Sequence, residues 1–212
     1  MLNIISFSLW GSGKKYRVGA IENCRLASII YPGWKVRIYI DNTIEQEFIK
    51  TLQNKGAEIC LIQNVKGSYH GMFWRFLIND DLKVDRYIVR DLDSRLNWRE
   101  KAAVDAWCAS DFDFHIMRDH QHHAYPIQGG MWGGKTKIIS NMSELIQKWN
   151  QYDSYMNDQY FLEKIIYPIV RDNAMVHDEY YEKKPFPPHR AIDDGGWFVG
   201  QVYDENGIPQ KD

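Results

Sequence analysis

Short apolar runs alternate with amphipathic stretches along the first half of the chain. The runs NIISFSL, KVRIYID, AEICLI and RYIVRD are typical of buried strands. Between them, apolar residues recur at helical spacing, as in the stripe Val18, Ile21, Cys24, Ala27 and Ile30. Strands that alternate with helices in this order predict an α/β fold, with an open, mixed but mostly parallel sheet flanked by helices on both faces.

Further elements follow from capping signals and shorter patterns. Asn42 and Glu45 form a capping pair ahead of a helix that ends at Gly56, and GMFWRFLIND forms a short helix. In the less regular second half, WREKAAVDAWCAS is predicted as a helix, FDFHIM as a strand and GGMWGGKTKII as a bent strand. Two helices are predicted after it, around Met142–Trp149 and Asn157–Ile166, before a tail rich in Pro and Gly. A chain of 212 residues fits one domain.

The segment Gly129–Thr136 matches the pattern of a phosphate-binding P-loop, G-x-x-x-x-G-K-T. A P-loop needs a buried strand before it and a helix that begins at its Lys-Thr end. The preceding residues are polar and contain Pro126, and Lys137–Ile139 is predicted to be extended. The capping residue Asn141, with Glu144 three positions later, starts the next helix near Met142. The segment is therefore not expected to bind a nucleoside triphosphate.

Composition and charge exclude several classes of protein. The net charge of -2 argues against a nucleic-acid-binding protein, which usually carries a basic excess. Cys24, Cys60 and Cys108 are an odd number without a Cys-x-x-Cys pair, which favours free thiols in a reducing compartment. The first ten residues lack a basic region and a cleavage site, and no apolar run reaches the ~20 residues of a membrane span. We therefore expect a soluble, cytoplasmic protein without a transmembrane segment.

Polar and aromatic residues follow the predicted strands where ligands bind in open α/β sheets, beyond the carboxyl ends of the strands. Ser8, Trp10 and Gly11 lie at the end of the first strand, and Asp41 lies at the end of the second. Tyr16 follows in the same glycine-containing loop. These residues are candidates for ligand contact, although the many aromatic residues of the chain are equally typical of a core.

Asp91 and Asp93 are the strongest signal for chemistry. They follow the buried strand RYIVRD with Leu92 between them, so both carboxylates can reach one hard cation while Leu92 packs in the core. Mg²⁺ or Mn²⁺ takes few protein oxygens in such a site and leaves coordination positions for water and diphosphate. The alternative is a solvated turn, because two aspartates at this spacing often occur by chance.

With this Asp-x-Asp pair the chain resembles the nucleotide-sugar glycosyltransferases of the GT-A fold, which have a Rossmann-like first half. The resemblance covers most of the chain and implies one domain, with a nucleotide-binding half, 1–95, and a sugar and acceptor half, 96–212. It implies that Asp91 and Asp93 hold Mn²⁺ or Mg²⁺ on the donor diphosphate. His177 resembles a late histidine that completes such a metal site, and Asp158-Gln159 resembles an Asp-Gln pair beside the donor sugar.

Further donor-binding residues follow from the same resemblance. The segment Gln128, Gly129 and Gly130 is similar to the stretch beneath the donor sugar. The loop from Ser8 to Tyr16 and Asp41 would hold the nucleoside, and Arg75 and Arg90 would bind the diphosphate or orient a carboxylate. The likeness is strongest to small glycosyltransferases of chlorella viruses. It implies a UDP-sugar donor (UDP-glucose-like or a deoxyhexose), a glycan or glycoprotein acceptor such as a capsid-protein glycan, and retention of anomeric configuration.

Each of these residues also has a purely structural interpretation. Asp158 is favourable in the first turn of a helix without catalysis, and His177, Arg75 and Arg90 could be surface or ion-pair residues. A zinc site at His115, His120, His122 and His123 is not favoured, because their spacing matches no known ligand pattern. Two other functions stay open: a metal-dependent nucleotidyltransferase or phosphatase that uses the same aspartates, and a non-catalytic sugar-binding module.

Overall fold

The computed structural model describes residues 1–63, 69–149, 154–187 and 197–210. Seven strands are formed by these residues: β1 (Asn3–Leu9), β2 (Trp34–Ile40), β3 (Glu58–Leu61), β4 (Arg86–Arg90), β5 (Phe114–Arg118), β6 (Met131–Lys135) and β7 (Ala174–Asp178). The α-helices are α1 (Lys14–Ile30), α2 (Gln46–Asn54), α3 (Gly71–Trp74), α4 (Trp98–Cys108), α5 (Met142–Trp149), α6 (Asn157–Phe161) and α7 (Tyr167–Val170). A 3₁₀ helix, Arg75–Asp80, continues α3, and a π-helical turn, Leu162–Ile166, joins α6 to α7.

All seven strands form one sheet in the order β3-β2-β1-β4-β6-β5-β7. Neighbours are parallel from β3 to β4 and again between β5 and β7, whereas β6 is antiparallel to both β4 and β5. Six strands therefore run in one direction and β6 runs against them. The predicted mixed, mostly parallel sheet is confirmed.

Both faces of the sheet are covered, which explains why the strands are apolar at successive positions. On β4, Tyr87 and Val89 pack with Phe76 and Phe161 on one face. Ile88 points to the other face and joins the core formed with α1, α2 and Trp107 of α4. The candidate site lies at one edge of this sheet, beyond the carboxyl ends of β1 and β4.

Three local predictions are wrong by a few residues or in conformation. Helix α2 begins at Gln46, and its N-cap Glu45 makes no side-chain capping bond, so Asn42 is not the cap. Lys137 has a φ of 78° in a turn, and the predicted extended stretch Lys137–Ile139 is not formed. In the stripe predicted for α1, Val18 is exposed, and the buried face is displaced towards Ala20.

Asp80 stabilises the start of α5 from another part of the chain. Its two carboxylate oxygens accept hydrogen bonds from the backbone N–H groups of Met142 and Ser143, each at 2.8 Å. Asn141 instead pairs with Glu144 through their side chains. The helix start near Met142 is confirmed, but its backbone N–H groups are satisfied by a tertiary contact.

The P-loop pattern is occupied by β6. Met131–Lys135 is a ladder strand between β4 and β5, and a Cβ on Gly133 would lie 2.7 Å from the backbone oxygen of Tyr87. The glycines of this pattern therefore allow close packing in the sheet. Lys135 pairs with Asp113 at 2.5 Å, and the expectation that this segment is no P-loop agrees with this geometry.

Candidate active site

A cleft of about 700 Å³ opens at the carboxyl ends of β1 and β4. Residues from both halves of the chain line it, and these include most of the residues predicted from the sequence: Ser8, Trp10, Gly11, Tyr16, Arg75, Asp91, Asp93, Gln128, Gly129, Gly130, Asp158 and Gln159. The predicted residues Asp41, Arg90 and His177 are not among its lining residues.

Asp91 and Asp93 lie on the turn that follows β4, and both side chains border the cleft. Leu92 between them is 2% exposed and packs in the core with α1, as the sequence predicts. The turn is held by Ser94, whose hydroxyl and backbone N–H both donate to the carbonyl of Asp91, at 2.9 and 3.3 Å. Gly19 of α1 permits a close approach, since a Cβ there would lie 1.6 Å from the carbonyl oxygen of Leu92.

The carboxylate of Asp91 is 41% exposed to the cleft but surrounded by protein charges. Its Oδ1 lies 3.1 Å from the Arg75 guanidinium. The protein around this carboxyl group removes part of its hydration and raises the pKa of Asp91 to about 6. Arg75 opposes the shift in pKa, while the negative charges of Asp93 and Asp158 add to it. A cation in the cleft would relieve this crowding of negative charge.

Asp93 faces a different cation. Its Oδ2 lies 2.8 Å from the ammonium nitrogen of Lys15, in the first turn of α1. Burial lowers the pKa of Lys15, but the hydrogen bond and charge of Asp93 outweigh it, and the pKa is raised above its usual value. The backbone carbonyl of Asp93 also accepts from the N–H of Tyr203, at 2.7 Å. The C-terminal segment thus braces the turn.

Arg75 joins Asp91 to Asp158. Its Nη2 lies 2.9 Å from Asp158 Oδ2 as well as 3.1 Å from Asp91 Oδ1. The backbone of Arg75 is fixed on β1, because its N–H donates to Ser8 Oγ at 2.8 Å and its carbonyl accepts from Ser6 Oγ at 2.7 Å. Ser8 therefore positions the backbone of Arg75, and the Arg75 guanidinium holds Asp91 and Asp158 in one site.

Gln159 and the glycines before β6 form the floor beside Asp158. Gln159 Oε1 accepts from the backbone N–H of Gly129 at 3.0 Å, and its amide nitrogen donates to the carbonyl of Ile127. A Cβ on Gly130 would lie 2.2 Å from Asp91 Oδ2, so a side chain there would push into the carboxylate. Gln128 also borders the cleft, and its amide donates to the carbonyl of Tyr125.

Trp10, in the loop after β1, and Tyr16, in the first turn of α1, supply aromatic surface to the cleft. The ring of Trp10 packs edge-on against Trp74 at 5.8 Å between centroids, and a Cβ on Gly71 would lie 2.3 Å from the Trp10 ring. Trp10 is thus held by packing. Tyr16 is 39% exposed and borders the cleft, with the Lys15 ammonium 4.8 Å from its ring centroid. Both rings are available to stack on a base.

Asp41 and Arg90, predicted as donor-binding residues, are buried and make contacts within the protein. Asp41 is buried and accepts from the backbone N–H and hydroxyl of Thr43, while the Thr43 hydroxyl accepts from the N–H of Gly11 at 2.7 Å. Asp41 therefore fixes the loop at Gly11 through Thr43. Arg90 is buried, where its Nε donates to Glu100 at 2.9 Å.

His177, the predicted third metal ligand, is not among the residues that line the cleft with Asp91 and Asp93. It lies on β7, and its Nδ1 is 2.8 Å from His115 Nε2 in the protein interior. Burial, and then the nearby charge of Arg99, lower the pKa of His177 to about 4. The residue is therefore a neutral core histidine. In the described parts of the chain, no group of three or more His, Cys, Asp or Glu is arranged to hold a metal ion.

The structure also brings together residues that the sequence analysis did not select. Lys15 contacts Asp93, and Tyr69, Tyr155, Gly200 and Val202 border the cleft. The lysine had a signal, since it lies within the segment from Ser8 to Tyr16 that is predicted to hold the nucleoside. The C-terminal residues have no local pattern that connects them with the cleft.

Comparisons with known proteins identify the architecture. Neither models of known protein families nor curated protein sequences match the chain. Among solved structures, the glycosyltransferase GlyE of Streptococcus pneumoniae TIGR4 is similar, with a TM-score of 0.56 and 15% identity over 85% of this chain and 46% of that one. The mannosyltransferase PcManGT of Pyrobaculum calidifontis, solved with GDP-Man and Mn²⁺, has a TM-score of 0.51 and 11% identity over 84% of this chain and 55% of that one. The chain adopts the GT-A fold. It spans about half the length of these two glycosyltransferases.

A third similar structure is an enzyme of another class, and identities this low concern the fold alone. The 4-diphosphocytidyl-2C-methyl-D-erythritol synthase of Anaerococcus prevotii DSM 20548 has a TM-score of 0.53 and 12% identity over 87% of this chain and 89% of that one. None of the comparisons supports the narrower likeness to chlorella virus enzymes. Among the described residues, no helix combines the length and apolar character that crossing a membrane requires.

Proposed function

We propose that this GT-A chain is a metal-dependent glycosyltransferase that moves a sugar from a UDP-sugar to a glycan or glycoprotein acceptor. One observation carries the proposal. Asp91 and Asp93 open onto the same cleft as Asp158, and Arg75 lies within hydrogen-bond distance of both Asp91 and Asp158. A site for a diphosphate and a site for its sugar are thereby a few ångströms apart.

The cleft divides by chemistry into three parts. The exposed ring of Tyr16 and the ring of Trp10 suit a nucleoside base. Asp91 and Asp93, with a cation, suit a diphosphate. Gly129 and Gly130 line the cleft with backbone beside Asp158, and this part suits the sugar. A nucleoside diphosphate sugar has these three groups, a base, a diphosphate and a sugar.

The carboxylates fit Mn²⁺ or Mg²⁺. They are hard oxygen donors on one turn, both border the cleft, and the negative charge of Asp93 helps to raise the pKa of Asp91. A hard cation that keeps positions for water and phosphate oxygens suits so sparse a donor set. When bound there, such a cation would neutralise charge on a leaving diphosphate.

The residues of the chain itself would act on the sugar. Asp158 is 8% exposed in its side chain and paired with Arg75, so it presents a fixed negative charge beside the sugar site. We propose that this charge stabilises the positive charge that develops on the donor sugar as its bond to diphosphate breaks. Gln159 holds the Gly129 backbone beneath it. Retention of anomeric configuration and a capsid-protein glycan as acceptor are both implied by the motif resemblance.

A nucleotidyltransferase is the second candidate, because the similar fold of the diphosphocytidyl-methylerythritol synthase covers nearly the whole of both chains. The two functions differ in the bond that breaks. A glycosyltransferase releases the nucleoside diphosphate from a nucleotide sugar, whereas a nucleotidyltransferase releases pyrophosphate from a nucleoside triphosphate.

The decisive experiment is calorimetric titration with a panel of UDP-sugars, each with Mn²⁺ and with chelator. We expect the wild type to bind a UDP-sugar only with Mn²⁺ and to release UDP slowly from it. Asp93→Ala should lose the metal-dependent gain, while Asp105→Ala, which removes an exposed carboxylate of α4, should keep it. Equal affinity for every ligand in all conditions would refute the proposal, and pyrophosphate release from UTP or CTP would favour the second candidate.

A further inference from the structure

Lys15 and Arg75 divide the two cleft carboxylates between them. Arg75 contacts Asp91 at 3.1 Å and Lys15 contacts Asp93 at 2.8 Å. Each carboxylate that would hold the metal therefore already has a protein cation within ion-pair distance. Each contact uses one carboxylate oxygen, Asp91 Oδ1 and Asp93 Oδ2, so a divalent cation bound to both carboxylates would lie beside two protein cations that repel it. The protein cation that can move away relieves this repulsion.

The two protein cations differ in their freedom to leave. The side chain of Arg75 is 6% exposed, and its guanidinium contacts both Asp91 and Asp158. The backbone N–H of Arg75 donates to Ser8 Oγ, which fixes the residue further. Lys15 is 31% exposed and reaches Asp93 with a single ammonium on a flexible four-carbon stem. Rotation of that stem releases Asp93 without disturbing the fold, so Lys15 is the cation that can be displaced.

The surroundings of Lys15 offer it a second partner. Its neighbours in the loop and helix, Gly13 and Tyr16, border the cleft, and its ammonium lies 4.8 Å from the Tyr16 ring. An ammonium released from Asp93 thus remains beside the part of the cleft between base and metal. A diphosphate bound there carries the negative charge that the ammonium has lost.

We propose that Lys15 is an exchangeable counter-ion of Asp93, which a divalent cation displaces and which then binds the donor diphosphate. The inference rests on the proposed function, because it assumes the metal site on Asp91 and Asp93. The exchange predicts opposite effects of Lys15 on metal affinity without and with nucleotide. Lys15 opposes metal binding in the absence of nucleotide and favours it when a diphosphate is present, so it increases the coupling between the two ligands.

The test measures Mn²⁺ binding to the full chain by electron paramagnetic resonance, without nucleotide and with saturating UDP. For Lys15→Met we expect Mn²⁺ affinity without nucleotide to rise about twofold to fivefold, the range that an ion pair between partly exposed side chains supplies. The gain in Mn²⁺ affinity on addition of UDP should shrink by at least the same factor. Lys15→Arg, which keeps the charge, should lie close to the wild type in both measurements.

Lys14→Met is the matched control, because it removes the same charge from an exposed lysine one residue earlier in α1. It should leave Mn²⁺ affinity unchanged without nucleotide. Thermal unfolding of each variant verifies the fold, and Lys15→Gln replaces the methionine variant if that one does not fold. Unchanged or weaker Mn²⁺ binding by Lys15→Met without nucleotide overturns the exchange. If the wild type and Asp93→Ala bind Mn²⁺ equally, the proposed metal site itself is refuted. This outcome differs from failure of the exchange, so the two failures are distinguished.

Discussion

Arg75 and Asp158 are 83 residues apart in the chain, and the guanidinium of one lies 2.9 Å from the carboxylate of the other at the bottom of the cleft. Both side chains are largely buried, and the same guanidinium also contacts Asp91. The arginine therefore connects the end of β4 to the start of α6. It holds two acidic groups close together that would otherwise repel each other.

Removal of this arginine charge should destabilise the fold. Arg75→Met leaves Asp158 buried without its cation, and breaking a buried pair in this way costs about 3–5 kcal/mol. Urea unfolding should show a loss of that size. Arg25→Met, which breaks an exposed pair with Glu22, is the control and should change the free energy of unfolding by less than about 0.5 kcal/mol. A loss below about 1 kcal/mol for Arg75→Met would contradict the importance of the pair.

Asp158→Asn should separate binding from turnover. The asparagine keeps the shape of the side chain but lacks the negative charge proposed to stabilise the developing positive charge on the sugar. We expect UDP affinity with Mn²⁺ to stay near that of the wild type, and UDP-sugar hydrolysis or transfer to fall about 100-fold to 1,000-fold. Asp172→Asn, at a surface position, should have no effect on either. Turnover near the wild-type rate would exclude Asp158 from the reaction.

Gly130→Ala should disturb the metal site through its geometry. The new Cβ would lie 2.2 Å from Asp91 Oδ2 and 2.7 Å from the backbone nitrogen of Asp91, so the carboxylate has to move. A displacement worth about 1.4 kcal/mol would weaken Mn²⁺-dependent UDP binding tenfold. Gly129→Ala is the neighbouring control, since its nearest contact would be 3.2 Å, to the Arg75 guanidinium. Equal affinities for the two variants would argue against a role for Asp91 in metal binding.

His177 should make stability depend on pH in the acidic range. Its pKa in the folded state is lowered to about 4 by burial and by Arg99, against about 6.5 in the unfolded chain. As the pH falls from about 6.5 to about 4, His177 is protonated in the unfolded state but stays neutral in the folded state. The free energy of unfolding therefore decreases, by up to about 3 kcal/mol for this group.

Urea unfolding at a series of pH values measures this effect. His177→Gln removes the titrating group but can still hydrogen-bond to His115, so its stability should decline less steeply over this interval. Other buried histidines contribute in both proteins, which is why the difference between the two curves is the quantity of interest. Parallel curves would show that His177 does not titrate as proposed.

The sequence by itself determined the class of fold and the location of the cleft. Apolar runs predicted β1, β2, β3 and β4, and the turn residues between them predicted where these strands end and ligands bind. It also determined that Leu92 is buried between Asp91 and Asp93, because a residue that follows a buried strand and separates two charged ones faces the core. These are local properties: hydrophobic periodicity records which side of an element is buried.

Only the tertiary structure decided which partner each polar side chain meets. Insertion of β6 between β4 and β5 brings Gly130 against Asp91, and the pairing of β5 with β7 turns His177 towards His115 and away from the cleft. Arg90, beside Asp91 in sequence, points into the core to Glu100, whereas Arg75, sixteen positions away, reaches the aspartate. Successive residues of a strand face opposite sides, so proximity in sequence to a site says little about contact with it. Strand order and packing between distant segments make that choice, and neither leaves a local pattern.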